Sequence, residues 1–171
     1  MAALKADDYH PYFERYIKFV PKEDVFSFLK KQREAAIVFF STLGETRANY
    51  RYADGKWSIK QVLGHVIDTE RIFNYRALCF SRSEIKHLHG FEQDDYVNNA
   101  NFDDTSLQSL VQQFDLTRQN TISLFASFSE AMLSKKGIAE DKPYSVLAIA
   151  YVIAGHLEHH ISIVQERYLG I

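Results

Sequence analysis

Three of the chain's seven histidines fall in a single stretch, AGHLEHHISIVQERYL, as His156, His159 and His160. On a helix turning about 100° per residue, with His156 at zero, His160 lies at about 40°. Ile149, Val152, Ile153, Ile163 and Arg167 fall within about 60° of it, so this pair stands in the middle of an inward, apolar stripe. His159 comes out at about −60°, on the flank of that stripe, and Glu158 at about 200°, toward solvent. Side chains four residues apart stand about 5–6 Å apart at Cβ, which lets two imidazoles reach one ion at M–N distances of about 2.0–2.1 Å. A candidate third ligand, His65, sits on a second inward stripe with Val62, Val66, Thr69, Ile72, Phe73, Arg76 and Phe80.

One histidine on an apolar stripe is most simply a hydrogen-bonded core residue. Three change the balance, because each buried imidazole without a partner costs about 1–3 kcal/mol, whereas one cation satisfies them together. Three neutral nitrogens without a carboxylate suit Zn²⁺ or Ni²⁺ better than Mg²⁺ or Ca²⁺. They also leave a coordination position open for water, hydroxide or a thiolate, whose pKa the metal lowers. The expected protein is a divalent-metal-dependent enzyme with His65, His156 and His160 as ligands, activating a nucleophile against a small electrophile. No protein general base is identifiable. Two other readings stand beside it: a non-catalytic metal- or ligand-binding bundle module, and a metal-free protein whose histidines are hydrogen-bonded core residues.

Further residues gather around this set. His159 is a candidate substrate contact, or a ligand in place of His160 by i, i+3 spacing, and Asp68 is a candidate acceptor for the free N–H of His65. Arg76 and Arg167 fall on inward stripes and call for carboxylate partners such as Glu70, Glu14 or Asp94. Arg167 could bind a carboxylated cofactor, whereas Arg76 lies too far along its helix. Residues 81–103 carry His87, His89, Phe91, Gln93, Asp94, Asp95 and Tyr96, a composition suited to a lid, with Tyr96 and Asp94 the foremost candidates.

Four helices must position these side chains, and neither a run of alternating strands nor an internal repeat is visible. The first spans 22–43, with Pro21 placed where a first helical residue tolerates a missing N–H, and Gly44 ends it. The second follows a capping box of Ser58 and Gln61 and reaches about residue 80. The third opens with a capping box of Thr105 and Gln108 and ends near residue 129; the fourth follows Pro143, takes Ser145 as N-cap and continues to Gly170. The 23 residues of 81–103 exceed the about two to eight that join adjacent antiparallel helices, so they can cross the whole bundle. An all-α four-helix bundle with one long crossover between helices two and three is the expected fold, as one domain spanning 1–171. An antiparallel pairing of helices two and four then brings His65 closer in height to His156 and His160 than a parallel one would.

Composition narrows the function classes. The chain has 171 residues, 46% hydrophobic and 25% charged, with 7 glycines and 3 prolines, which excludes disordered and collagen-like classes. A formal charge of −2 without a basic block argues against nucleic acid. The longest apolar run, 146–154, is about half of a membrane span, the first residues lack the apolar stretch of a signal peptide, and the one cysteine cannot form an internal disulfide. A cytoplasmic protein without membrane partners is expected.

The stretches YFERYIKFVPKEDVFSFLKKQ (12–32), KWSIKQVLGHVIDTERIFNYRAL (56–78), GFEQDDYV (90–97) and AGHLEHHISIVQERYL (154–169) resemble the DinB-like superfamily, in particular its YfiT-like branch of four-helix-bundle proteins. In that family a histidine early in helix two and an H-x-x-x-H pair in helix four bind a divalent metal, which maps onto His65, His156 and His160. The resemblance implies a small-molecule substrate, with low-molecular-weight thiol transfer or metal-dependent hydrolysis as the chemistry. Homodimers are common among such proteins, and the damage-inducible name does not imply DNA binding.

Overall fold

The structure is a computed structural model that describes residues 4–21, 24–84 and 86–171. Two 3₁₀ turns, Ala6–Asp8 and Pro11–Phe13, lead into α1 (Glu14–Ile17). Then follow α2 (Val25–Ser41), α3 (Gly44–Ala48), α4 (Ile59–Ser81), α5 (Gln93–Asn98), α6 (Leu107–Ala126) and α7 (Glu130–Leu133). A hairpin of β1 (Lys136–Ala139) and β2 (Lys142–Ser145) precedes α8 (Val146–Ile163), which widens into a π-helical stretch, Val164–Leu169, and stops at Gly170 with φ +70°.

The caps explain most of these boundaries. The Ser58 hydroxyl accepts from Gln61 N at 3.0 Å while Gln61 Oε1 accepts from Ser58 N at 2.9 Å, so the expected capping box forms. Ser145 caps α8, accepting from Ala148 N at 3.0 Å. The third helix departs from expectation: Ser106 is its N-cap, because the Thr105 hydroxyl donates backward to the Asn101 carbonyl at 2.8 Å. That helix also stops at Ala126, and Ser129 becomes the N-cap of α7. Asp24, not Pro21, opens α2, accepting from Ser27 N at 2.9 Å; the expected start at Lys22 lies outside the described residues. Gly44, at φ +70°, sits beyond the end of α2 at the start of α3.

The hairpin corrects the expectation of a chain without strands. Its register runs from Lys136 opposite Ser145 to Ala139 opposite Lys142, and Pro143, expected just before the last helix, lies within β2. Glu140 and Asp141 at the tip hold φ 53° and 57°, the left-handed pair that two-residue hairpin loops need. Strands of four residues are too short for alternation to register against a helical background.

The long helices pack in the cyclic order α2, α6, α4, α8. Leu29 of α2, Phe73 of α4, Phe125 of α6 and Ile149 of α8 share one apolar cluster; Phe40, Leu63, Leu110 and Leu157 share the other. From the order of these residues, α2 and α8 run one way while α4 and α6 run the other. The chain between α4 and α6 therefore returns along the full bundle, which is the expected crossover, and α4 is antiparallel to α8.

Between the two clusters lies a buried polar layer. Arg118, fully buried, donates from Nε and Nη2 to the two Glu70 carboxylate oxygens at 2.7 and 2.9 Å and from Nη1 to Gln32 Oε1 at 2.6 Å. Gln32 Nε2 in turn donates to the Ala154 carbonyl and to Glu158 Oε1, each at 2.8 Å, so Glu158 turns toward α2 and not toward solvent. Thr121 donates to Glu70 at 2.6 Å and accepts from Asn74 at 2.8 Å. All four long helices are joined at one level.

By length and composition α8 with its π-helical extension, Val146–Leu169, could cross a membrane, with mean hydropathy 1.3; 61% of that window is buried inside the protein, as for the central helix of a bundle. Removing one partner of the buried pair leaves an uncompensated charge, so Arg118→Leu should destabilise the fold by about 3–5 kcal/mol in urea unfolding, and adding Glu70→Met should recover much of that loss.

Candidate metal centre

His65 stands on the second turn of α4, and His156 and His160 occupy successive turns of α8. The antiparallel pairing places them at one level. Their Nε2 atoms converge: His65 to His156 is 3.2 Å and His160 to His156 is 3.1 Å. Ring centroids are 4.5–5.0 Å apart in all three pairs. His65 and His156 are 3% and 5% exposed, and His160 is half-buried.

A cation about 2.0–2.1 Å from each nitrogen sets N···N separations of about 2.9–3.4 Å as its bond angles open from octahedral to tetrahedral. The observed separations lie inside that range, so the donor set fits a divalent cation. A hydrogen bond between neutral imidazoles can serve one of these contacts well, but His156 Nε2 faces both partners at once. The remaining nitrogen of His65 is placed for the opposite task. Its Nδ1 lies 3.4 Å from the Thr69 hydroxyl, one helical turn away, which can accept the Nδ1–H and leave Nε2 free as a ligand.

Electrostatics keep these rings neutral. Burial pushes His65 from 6.5 down to about 4. His156 and His160 are held well below 6.5, first by burial and then by the neighbouring imidazoles. Neutral imidazole is the form that binds metal.

Two glycines let surrounding segments close on the cluster. A Cβ on Gly155 would stand 2.1 Å from the Tyr16 carbonyl oxygen, so only glycine there admits the N-terminal segment against α8. A Cβ on Gly64 would stand 2.5 Å from the Phe102 ring, at the end of the crossover. Tyr16 then packs edge-on to His156 at 5.2 Å, and Trp57 covers His65 at 4.9 Å.

A cleft of about 250 Å³ opens beside the imidazoles, lined by His65, Thr69 and His156 and, farther along α4, by Arg76 with its partner Glu140; Glu92 and Gln93 also border it. Tyr12, Tyr16, Phe73 and Phe91 form its aromatic walls.

Several sequence expectations move. Asp68 pairs with Arg71 at 3.0 Å, so Thr69 is the residue at the His65 Nδ1 nitrogen. His159 lies outside the cluster and packs on Tyr16 and Phe19 at 5.6 and 5.8 Å. Arg167 is exposed, because the π-helical stretch adds residues to the turn and rotates it off the inward stripe. Arg76 is buried as expected but pairs with Glu140 at 2.8 Å, and it reaches the cleft that its position on α4 had seemed to deny it. The crossover contributes Phe91, Glu92 and Gln93 to the cleft, while Asp94 and Tyr96 are exposed. Sequence reasoning missed the N-terminal wall of Tyr12, on the 3₁₀ turn Pro11–Phe13, and Tyr16, on α1; both elements are too short for periodicity to reveal.

Three imidazoles gathered from two antiparallel helices of a bundle form a cluster that could hold a metal ion. A sequence model of the DinB superfamily matches residues 29–164, and the chain belongs to that superfamily. Among solved structures it is similar to YfiT from Bacillus subtilis, described as a probable metal-dependent hydrolase with an unusual four-helix bundle topology, at TM-score 0.71 and 14% identity over 88% of this chain and 90% of that one. No curated protein sequence matches this chain.

Depressed histidine pKa values have a measurable consequence. Below pH 6.5 the unfolded chain takes up protons that the folded metal-free protein refuses until about pH 4 at His65, so stability falls as pH falls through this window. Urea unfolding of chelator-treated protein should lose about 1.4 kcal/mol per pH unit for each fully excluded imidazole, and His65→Gln should flatten that slope.

Proposed function

We propose that this chain is a divalent-metal-dependent enzyme in which His65, His156 and His160 hold the ion, and in which a small substrate reacts in the adjoining cleft. The carrying observation is the convergence of the His65 and His160 Nε2 atoms on that of His156, at 3.2 and 3.1 Å, beside an accessible cavity. The coarser parts of this reading rest on the superfamily membership and on the description of YfiT as metal-dependent. Zinc or nickel is the metal that an all-imidazole donor set favours. Bound there, the metal would lower the pKa of a thiol or water and polarise an electrophile, giving thiol transfer or hydrolysis.

The chain's own residues do the rest. Thr69 fixes the His65 tautomer, Tyr16 and Trp57 hold the rings of His156 and His65, and Tyr12, Phe73 and Phe91 give the space in front of them aromatic walls. Among the described residues no carboxylate joins the three imidazoles in the cluster, so the proton of a metal-bound thiol or water would pass to solvent. We place the protein in the cytoplasm, with a small molecule and not nucleic acid or membrane as its partner; a homodimer is the assembly we propose.

Elemental analysis of protein purified without a polyhistidine tag tests the reading. Wild type should carry about one metal atom per chain and His156→Ala close to none, with the helical circular dichroism unchanged. The loaded protein should consume thiols with monochlorobimane, or hydrolyse simple esters and amides. Full metal occupancy without turnover across that panel would favour a binding module instead. A second variant, Thr69→Val, should weaken metal affinity by about 10–100-fold, measured by chelator competition.

A further inference from the structure

We infer that Arg76 is the anchor for a carboxylate on the substrate, at the end of the cleft away from the imidazoles. The inference rests on the metal-site reading for which end of the substrate reacts, but Arg76 itself can be examined without metal. Its side chain is 3% exposed, and a guanidinium carries five N–H donors. Nη1 donates to the Tyr144 hydroxyl at 3.2 Å, and Nη2 donates to the His89 carbonyl at 3.0 Å and to Glu140 Oε1 at 2.8 Å. The Nε–H and one Nη1–H have no partner among the described residues, yet Nε is not a sealed, unsatisfied atom. Because Arg76 lines the cleft, the Nε–H is available to whatever occupies it.

Spacing defines the ligand. His65 and Arg76 lie eleven residues apart on α4, which returns them to the same face about 16 Å apart along the axis, with Thr69 and Phe73 between them. An elongated molecule with a polar reactive head, an apolar middle against Phe73 and Phe91, and an anionic tail fits this sequence of surfaces. Arg15 and Lys142 sit over the Tyr12 ring at 4.3 and 4.8 Å, and Lys142 also lies 3.5 Å from Glu140 Oε2. With Glu140 already pairing Arg76, a monoanionic carboxylate fits the remaining guanidinium donors better than a phosphate dianion.

The test uses the full chain, chelator-treated and ¹³C,¹⁵N-labelled, with the Arg76 Nε–H signal assigned by through-bond side-chain correlation. Hexanoate should shift that signal saturably, whereas hexanamide should not. Glu140→Gln, which removes the competing carboxylate, should tighten hexanoate by about three- to tenfold. By calorimetry, hexanoate should bind wild type more tightly than hexanamide and R76K should lose that difference; if R76K does not fold, the E140Q comparison decides alone. An unmoved Arg76 signal, or equal effects of acid and amide, overturns the proposal and leaves Arg76 as a clamp between α4, the crossover and the hairpin. A response to inorganic phosphate in place of hexanoate overturns the choice of carboxylate. Metal uptake, measured separately, distinguishes failure of the metal reading from failure of the anchor.

Discussion

The ion pair between Arg118 and Glu70 sets the height at which four helices meet. A guanidinium and a carboxylate without water tolerate little displacement, since each lost hydrogen bond leaves a desolvated charge. Through Gln32 that constraint passes to the Ala154 carbonyl, two residues before His156, and through Glu70 it passes to the turn of α4 that carries Thr69. Apolar packing alone tolerates sliding between helices, because Leu, Ile and Phe interchange partners at small cost. The polar layer removes that freedom, and the convergence of imidazoles from two separate helices depends on it.

The site and the layer share a strategy of concentrating polarity inside a bundle while keeping it satisfied. Arg118 is matched by carboxylate, amide and hydroxyl groups; the histidines are matched by Thr69 on the outer side of His65 and by one another on the inner side. The inner side is where protein groups run short, which is what sets it apart from a structural network. Beside it the cleft grades from imidazole through aromatic to guanidinium, so its two ends offer different chemistry to the two ends of one molecule.

Much of this was legible in the residues. The i, i+4 spacing of His156 and His160 and the inward stripe carrying His65 identified the cluster, because helical periodicity survives in any long element. The capping box at Ser58 and the N-cap at Ser145 fixed two helix starts, since cap chemistry is local. The length of 81–103 announced the crossover. Contacts between distant segments were not legible: nothing near Arg118 in sequence names Glu70 as its partner, and nothing near Gly155 names Tyr16. Arg167 misled because a π-helical stretch breaks the 100° assumption, and Thr105 because its hydroxyl bonds backward. Arg76 was dismissed on distance along its helix, although a long side chain and a cleft running parallel to α4 bring it within reach.

The cyclic order of the bundle also governs how the protein is made. As the chain emerges from a ribosome, α2, α4 and α6 can associate first, since α6 touches both of the others. That nascent assembly contains His65 but lacks His156 and His160, which stand 91 residues or more downstream. Gln32 would then lack two of its acceptors, and the surface awaiting α8 would be bare. Vectorial synthesis thus defers the imidazole cluster to the docking of the most apolar helix, so that no ion can be captured in its final ligand set by a half-made chain.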